Sequence, residues 1–124
     1  MSKRAISGFP ELLPGERSTE AWVEGRLQEV FEKHGFVGIQ TRAVEPLSAL
    51  EAKGETSKEV YLLERLQSAK SGARADLRPD TLGLHFDLTV PLARYVLQNS
   101  NSLLFPFKRY QIQKVWRGER PQEG

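Results

Sequence analysis

Apolar residues near the start of the chain recur at the three- and four-residue spacing of a helix. Four of them would share one face: Val23, Leu27, Val30 and Phe31. We predict that this helix follows an N-cap at Ser18, whose hydroxyl can accept a bond from a free backbone N–H group, and that Gly35 ends it. The preceding residues 8–16 contain two prolines and two glycines, which favour a loop.

Strand-like patterns follow this helix. Residues 36–44 alternate in character and predict a strand, which Pro46 ends. Residues 47–53 can form one or two helical turns, and the β-prone run at 60–66 predicts another strand. Residues 68–79 have little apolar content, so we expect a flexible connection there.

A strand that starts at Leu82 would have two chemically different faces, because side chains alternate along a strand. The apolar face would carry Leu82, Leu84, Phe86 and Leu88. The other face would carry Gly83, His85, Asp87 and Thr89. This second face gathers a carboxylate, an imidazole and a hydroxyl, which are groups that can bind a polar ligand.

A helix is predicted to follow, with Thr89 as its N-cap, Pro91 in its first turn and a break at residues 99–102. Its buried stripe would consist of Leu92, Tyr95 and Val96. From the residues alone, the simplest interpretation of Asp87 and Thr89 is that they cap this helix.

A long strand is predicted from residue 107 to residue 117. One face would carry Tyr110, Ile112 and Trp116, and the other would carry Arg109, Gln111, Gln113 and Arg117. The polar face can be a solvated surface or the floor of a binding site, and the pattern leaves both open. Two helices and about four strands in this order favour an α+β fold, with helices flanking an antiparallel sheet.

The composition is that of one small globular domain. The chain has 124 residues, of which 39% are hydrophobic and 27% are charged. It contains no cysteine and only two histidines, so we expect neither a disulfide nor a zinc-type metal site. Its start lacks the apolar stretch of a secretion signal, and we therefore expect a cytoplasmic protein that does not enter a membrane.

The charge of the chain is compatible with an anionic ligand but does not identify it. The net charge is +2, and five basic residues lie close together near the end of the chain: Lys108, Arg109, Lys114, Arg117 and Arg120. Such a cluster can be a solvated face or a site for nucleotide phosphates or RNA. No glycine-rich phosphate loop and no dinucleotide fingerprint occurs, so a nucleotide site in this chain would have to use arginines on strands.

Two stretches carry a family resemblance. Residues 86–95 read Phe-Asp-Leu-Thr-Val-Pro-Leu-Ala-Arg-Tyr, and residues 108–124 include Trp-Arg-Gly-Glu-Arg-Pro. Together with the opening residues 8–16, they resemble histidyl-tRNA synthetases, which are class II aminoacyl-tRNA synthetases. The resemblance implies a truncated class II antiparallel-sheet domain.

The same resemblance assigns parts of the chain to the family's segments. All of residues 1–124 would form the N-terminal part of the catalytic domain. Its motif 1 region would lie at about 18–50, its histidine-binding strand and helix at about 82–98, and the start of motif 2 at about 107–124.

The resemblance also implies roles for individual residues. Asp87 and Thr89 would hold the α-amino group of histidine, for which a carboxylate and a hydroxyl are suitable partners. Arg117 would be the catalytic motif 2 arginine, bridging the histidine carboxylate and the ATP α-phosphate. Glu119 would meet the adenine amino group, and Arg120 would lie in the loop that faces ATP and the tRNA end.

The parent enzyme implied by this resemblance would activate histidine with ATP, assisted by Mg²⁺, and transfer the histidyl group to tRNA(His). It would be a homodimer, and we expect the 124 residues alone to be inactive. Arg42 stands where motif 1 usually has a proline, which puts the usual dimer contact in question. We expect His85 to be a packed, hydrogen-bonded structural residue, although it could touch the ligand.

Two other functions fit parts of the sequence. The histidine-sensing regulatory subunit of ATP phosphoribosyltransferase resembles these synthetases without charging tRNA. Arg117 and Glu119 favour the synthetase, because a histidine sensor does not need a site for adenine and the α-phosphate. A basic RNA-binding module is a third possibility, but the chain lacks the aromatic and basic platform of the common RNA-binding domains.

Overall fold

The computed structural model describes residue 6 and residues 8–51, 60–64 and 81–118. In chain order, these residues form α1 (Pro14–Lys33), β1 (Val37–Gly38), β2 (Val44–Pro46), α2 (Leu47–Glu51), β3 (Leu62–Leu63), β4 (Leu82–Leu84), α3 (Thr89–Asn99), a 3-10 turn (Ser100–Ser102) and β5 (Arg109–Tyr110). They belong to two compact units. The first contains α1, β1 and β5, and the second contains the remaining elements.

Helix α1 begins five residues earlier than an N-cap at Ser18 predicts. Pro14 is its first residue, and the Glu16 side chain accepts a 2.8 Å hydrogen bond from the backbone N–H of Leu13. Proline has no backbone N–H. At the first helical position this costs no hydrogen bond, because an N–H there would have no partner inside the helix. Ser18 is therefore not an N-cap; its hydroxyl donates to the Pro14 carbonyl inside the helix.

The predicted end of α1 at Gly35 is confirmed. Gly35 has φ +77°, and its N–H donates to the carbonyl of Glu32, while the N–H of Phe36 donates to the carbonyl of Phe31. These two bonds form a Schellman motif. The rings of Phe31 and Phe36, 6.2 Å apart, supply the apolar contact that often accompanies it.

In the first unit, β1 and β5 pair in parallel, with Val37 opposite Arg109. A side chain at Gly38 would force the Tyr110 ring to move, because a Cβ atom at this position would lie 2.9 Å from that ring. That ring stacks on Phe31 at 5.2 Å. The Tyr110 hydroxyl donates to the Glu32 carboxylate, and this bond raises the pKa of Tyr110.

The second unit contains an antiparallel sheet in the order β2-β4-β3, which confirms the predicted sheet type. Glu45 of β2 and Leu62 of β3 both lie opposite Gly83 of β4. The buried apolar side chains beside this sheet are Leu47, Leu50 and Phe86.

Three predicted elements are shorter in the described residues. The strand predicted at 36–44 becomes two separate strands, Val37–Gly38 and Val44–Pro46. The helical turns predicted at 47–53 form Leu47–Glu51, and the strand predicted at 60–66 forms only Leu62–Leu63. The connection predicted at residues 68–79 lies outside the described residues.

The predicted strand from Leu82 to Leu88 ends at Leu84, and its predicted faces are wrong. Leu82 is 43% exposed, whereas His85 is 0% exposed. The reason is a tertiary contact: the His85 ring bonds the carbonyl of Lys114, so the ring lies inside the unit. Residues 86–88 then bend into α3.

Helix α3 begins at Thr89, so the predicted N-cap is in fact its first residue, and Leu88 occupies the cap position. Pro91 lies in the first turn, as predicted, and is buried. The predicted stripe of Leu92, Tyr95 and Val96 is half-buried. The helix ends at Asn99 and continues into the 3-10 turn, which confirms the predicted break.

The strand predicted at 107–117 is regular only at Arg109–Tyr110. Further along, the N–H of Trp116 donates to the carbonyl of His85 at 3.0 Å. No helix in the described part of the chain is long and apolar enough to cross a membrane.

Candidate functional site

Asp87 and Thr89 lie where the chain turns from β4 into α3. The Asp87 carboxylate accepts a 3.0 Å hydrogen bond from the backbone N–H of Thr89. Thr89 is exposed and Asp87 is half-buried. The prediction that both side chains share a strand face is wrong, because a bend and the first turn of a helix hold them instead. Asp87 does bind the start of the helix, as the capping interpretation expects, but a carboxylate can accept further bonds.

Arg117 reaches the same bend from the segment that follows β5. Its Nε–H donates to the carbonyl of Phe86 at 3.1 Å. This bond fixes the guanidinium beside the residue that precedes Asp87. Arg117 is an exposed residue, and this bond uses only its Nε–H. A planar guanidinium with several N–H groups in one plane suits a carboxylate or a phosphate.

His85 is a buried residue that immediately precedes this bend. Its Nε2 lies 2.8 Å from the carbonyl of Lys114, and its ring lies 5.4 Å from that of Trp116. Since a carbonyl only accepts hydrogen bonds, His85 must carry a hydrogen on Nε2. The buried, hydrogen-bonded position agrees with the structural role expected from the sequence.

A charge cluster around a buried carboxylate lies on the neighbouring strand β2. Glu45 is 0% exposed, and its two oxygens accept 2.7 Å bonds from Arg42 and Arg94. The sequence pattern does not predict this cluster. Only the three-residue spacing of Arg42 and Glu45 hints at it, because Arg94 is 49 residues from Glu45.

Glu119 and Arg120, the predicted contacts to adenine and the nucleotide loop, lie outside the described residues. Within the residues that the structure describes, no group of three His, Cys, Asp or Glu side chains could hold a metal ion. The candidate site in the described residues thus consists of Asp87, Thr89 and Arg117 around one bend.

Comparison with known proteins gives consistent matches along the whole chain. The sequence is 64% identical over 126 residues to the histidine–tRNA ligase of Bifidobacterium animalis subsp. lactis, covering 100% of this chain and 27% of that protein. It is 59% identical over 121 residues to the histidine–tRNA ligase of Cutibacterium acnes, covering 98% of this chain and 26% of that protein. The chain therefore spans about a quarter of the length of these curated relatives. No protein-family model matches it.

Two solved structures share the fold of this chain. The crystal structure of histidyl-tRNA synthetase from Nostoc sp. PCC 7120 matches with a TM-score of 0.81 at 40% identity, covering 96% of this chain and 26% of that chain. An ATP phosphoribosyltransferase regulatory subunit/histidyl-tRNA synthetase from Bacillus halodurans matches with a TM-score of 0.74 at 19% identity, covering 97% of this chain and 30% of that one. The second match shows a shared fold alone.

Proposed function

Because this chain belongs to the histidine–tRNA ligase family over its whole length, we propose that it supplies part of a site that activates histidine with ATP. The observation that carries the proposal is the 3.1 Å bond from Arg117 to the Phe86 carbonyl. It brings a cation to the bend that holds Asp87 and Thr89. A site for an amino acid and a nucleotide needs this combination, because its ligands carry an ammonium group, a carboxylate and phosphates.

Asp87 and Thr89 bind the α-amino group of histidine in this proposal. The Asp87 carboxylate attracts the ammonium and forms a charge-assisted bond with it. Its existing bond to the Thr89 N–H restricts the rotation of the carboxylate, so less freedom is lost when the ligand binds. The exposed Thr89 hydroxyl supplies a second acceptor.

Arg117 acts on the reacting atoms. A carboxylate oxygen of histidine attacks the α-phosphorus of ATP, the new P–O bond forms, and pyrophosphate leaves with the electrons of the broken bond. Negative charge accumulates on the α-phosphate oxygens during this step. The guanidinium reduces that charge and holds the two anionic reactants together against their mutual repulsion.

The remaining assignments complete the proposal. Glu119 binds the adenine amino group, and Arg120 faces ATP and the tRNA end. Mg²⁺ enters bound to the ATP phosphates, and we assign no residue of this chain to it. The complete enzyme then transfers the histidyl group to tRNA(His), as a homodimer in the cytoplasm.

The test is histidine-dependent exchange of labelled pyrophosphate into ATP. It uses the 124-residue chain and a chimera in which this chain replaces the matching part of the Bifidobacterium relative. We expect exchange by the chimera and none by the chain alone. Arg117→Gln in the chimera should lower kcat/KM by about 100-fold, the scale for losing one key oxyanion partner. Lys33→Gln, which removes the same charge at the exposed end of α1, is the matched control.

Two results would contradict the proposal. Exchange that is unchanged by Arg117→Gln would remove Arg117 from the reaction. A folded chimera that binds histidine but catalyses no exchange would favour the regulatory-subunit alternative. Circular dichroism of each variant distinguishes a loss of chemistry from a loss of structure.

A further inference from the structure

His85 connects β4 to the segment that carries Arg117 through both its backbone and its side chain. Its carbonyl accepts the N–H of Trp116 at 3.0 Å, and its Nε2–H donates to the carbonyl of Lys114 at 2.8 Å. On its other side, its own N–H donates to the carbonyl of Ala43 at 3.0 Å. One residue thus holds three segments of the second unit in register.

One residue further along both of these segments, the next contact between them belongs to the candidate site. Phe86 follows His85, and Arg117 follows Trp116; the bond from Arg117 to the Phe86 carbonyl continues the same series of contacts. The bond from the His85 side chain can be removed by a substitution that leaves the backbone and the Arg117 side chain unchanged. Its 0% exposure excludes direct contact with a ligand in this conformation.

We propose that His85 is a positioning residue: its Nε2–H bond to the Lys114 carbonyl sets the position of the Arg117 guanidinium relative to Asp87. The inference rests on the proposed function, because positioning matters only if Arg117 acts on the ligands. Without this bond, the segment at residues 114–117 loses one of its two attachments to His85. A guanidinium displaced by about 1 Å can lose as much as 100-fold in rate.

Two amide substitutions distinguish the effect of losing the hydrogen bond from the effect of losing the imidazole ring. In glutamine, the amide nitrogen is as many bonds from Cα as Nε2 is in histidine, so His85→Gln can still donate to the Lys114 carbonyl. In asparagine, the amide nitrogen corresponds to Nδ1 and cannot reach that carbonyl. We expect His85→Asn to lower kcat/KM for pyrophosphate exchange in the chimera by at least about 10-fold, and His85→Gln to restore most of it.

A double-mutant cycle distinguishes positioning from a general loss of structure. If His85 acts through Arg117, His85→Asn should have little further effect once Arg117→Gln is present. The inference would be overturned if His85→Asn lowered kcat/KM by the same factor with and without Arg117→Gln. It would also be overturned if the correctly folded His85→Asn and His85→Gln variants were equally active. A lack of effect of Arg117→Gln alone would instead overturn the proposed function, so the two failures are distinguishable.

Discussion

The side-chain amide of Gln113 binds both polar groups of the Thr41 backbone. Its Nε2 donates to the Thr41 carbonyl at 2.6 Å, and its Oε1 accepts the Thr41 N–H at 3.1 Å. Neither residue belongs to a regular strand, so the Gln113 amide takes the place that the backbone of a neighbouring strand would occupy. Thr41 is only 6% exposed, so these two backbone groups depend on protein partners instead of water.

We predict that Gln113→Glu destabilises the chain by about 1–3 kcal/mol, because a carboxylate accepts hydrogen bonds but cannot donate to the Thr41 carbonyl. Urea denaturation measures the change in the free energy of unfolding. Lys114→Gln shifts the net charge by the same amount at an exposed neighbouring position and serves as the control. Equal stability of Gln113→Glu and Lys114→Gln would show that the bond to Thr41 contributes nothing.

Replacement of glycine by alanine should have opposite effects at Gly25, inside α1, and at Gly35, just after α1. Gly35→Ala places a Cβ on a backbone with φ +77°, and we expect a loss of about 1–2 kcal/mol. Gly25→Ala lies in the helix interior with open space around the new Cβ, and we expect a gain of about 0.5–1 kcal/mol. Thermal unfolding of both variants tests this, and a shift of the two melting temperatures in the same direction would contradict it.

The buried position of Glu45 makes its charge important for stability. Glu45→Gln leaves Arg94, whose side chain is 18% exposed, without its anionic partner. We expect a loss of about 3–5 kcal/mol, as for breaking one side of a buried pair. Glu29→Gln makes the same chemical change in the exposed pair with Arg26 and should cost about 0–1 kcal/mol. Similar losses of stability for both variants would mean that the burial of Glu45 does not determine its contribution to the stability of the chain.

Local signals in the sequence predicted local structure correctly. Gly35 ends α1 because the Schellman bonds involve only the glycine and residues within four positions of it. Pro91 marks the first turn of α3 for a similar reason, since its fixed φ suits that position. The α1 start was missed because two signals competed, and Pro14 with Glu16 outweighed Ser18.

Distant contacts could not be predicted in this way. His85 is buried because of a carbonyl 29 residues away, and Glu45 is paired with an arginine 49 residues away. No periodicity within one strand contains that information. The family resemblance identified Asp87, Thr89 and Arg117 as one group, but only the fold shows that Arg117 bonds to the bend beside Asp87.

The hydrogen bond between Tyr110 and Glu32 predicts a pH dependence. This bond raises the pKa of Tyr110 above its ordinary value of 10.0, because the Glu32 carboxylate stabilises the protonated phenol. A raised pKa in the folded state contributes stability that is complete below pH 10 and is lost as the pH rises through the folded-state value.

Glu32→Gln should therefore lower the pKa of Tyr110 and reduce this loss of stability at high pH. The measurement is a titration of Tyr110 by NMR with labelled tyrosine, with Tyr110→Phe identifying the resonance. A pKa of Tyr110 that does not change on Glu32→Gln would show that the bond does not persist in solution.

The two histidines of the chain should carry their hydrogens on different ring nitrogens. Nδ1 of His34 lies 2.8 Å from the Val30 carbonyl, whereas Nε2 of His85 lies 2.8 Å from the Lys114 carbonyl. Each carbonyl can only accept, so the bond favours the Nδ1–H tautomer at the exposed His34 and requires the Nε2–H tautomer at the buried His85. Nitrogen chemical shifts at about pH 8.5, where free imidazole is neutral, distinguish the two forms.

His34→Gln assigns the two sets of signals. His34 is exposed, so its ring can also exchange with water, and we expect a mixture in which the Nδ1–H form is enriched. His85 is fully buried, so we expect a single tautomer with slow exchange of its Nε2 hydrogen. An Nδ1–H tautomer at His85 would mean that the Lys114 carbonyl is not its partner, and the positioning of Arg117 through this bond would then be excluded as well.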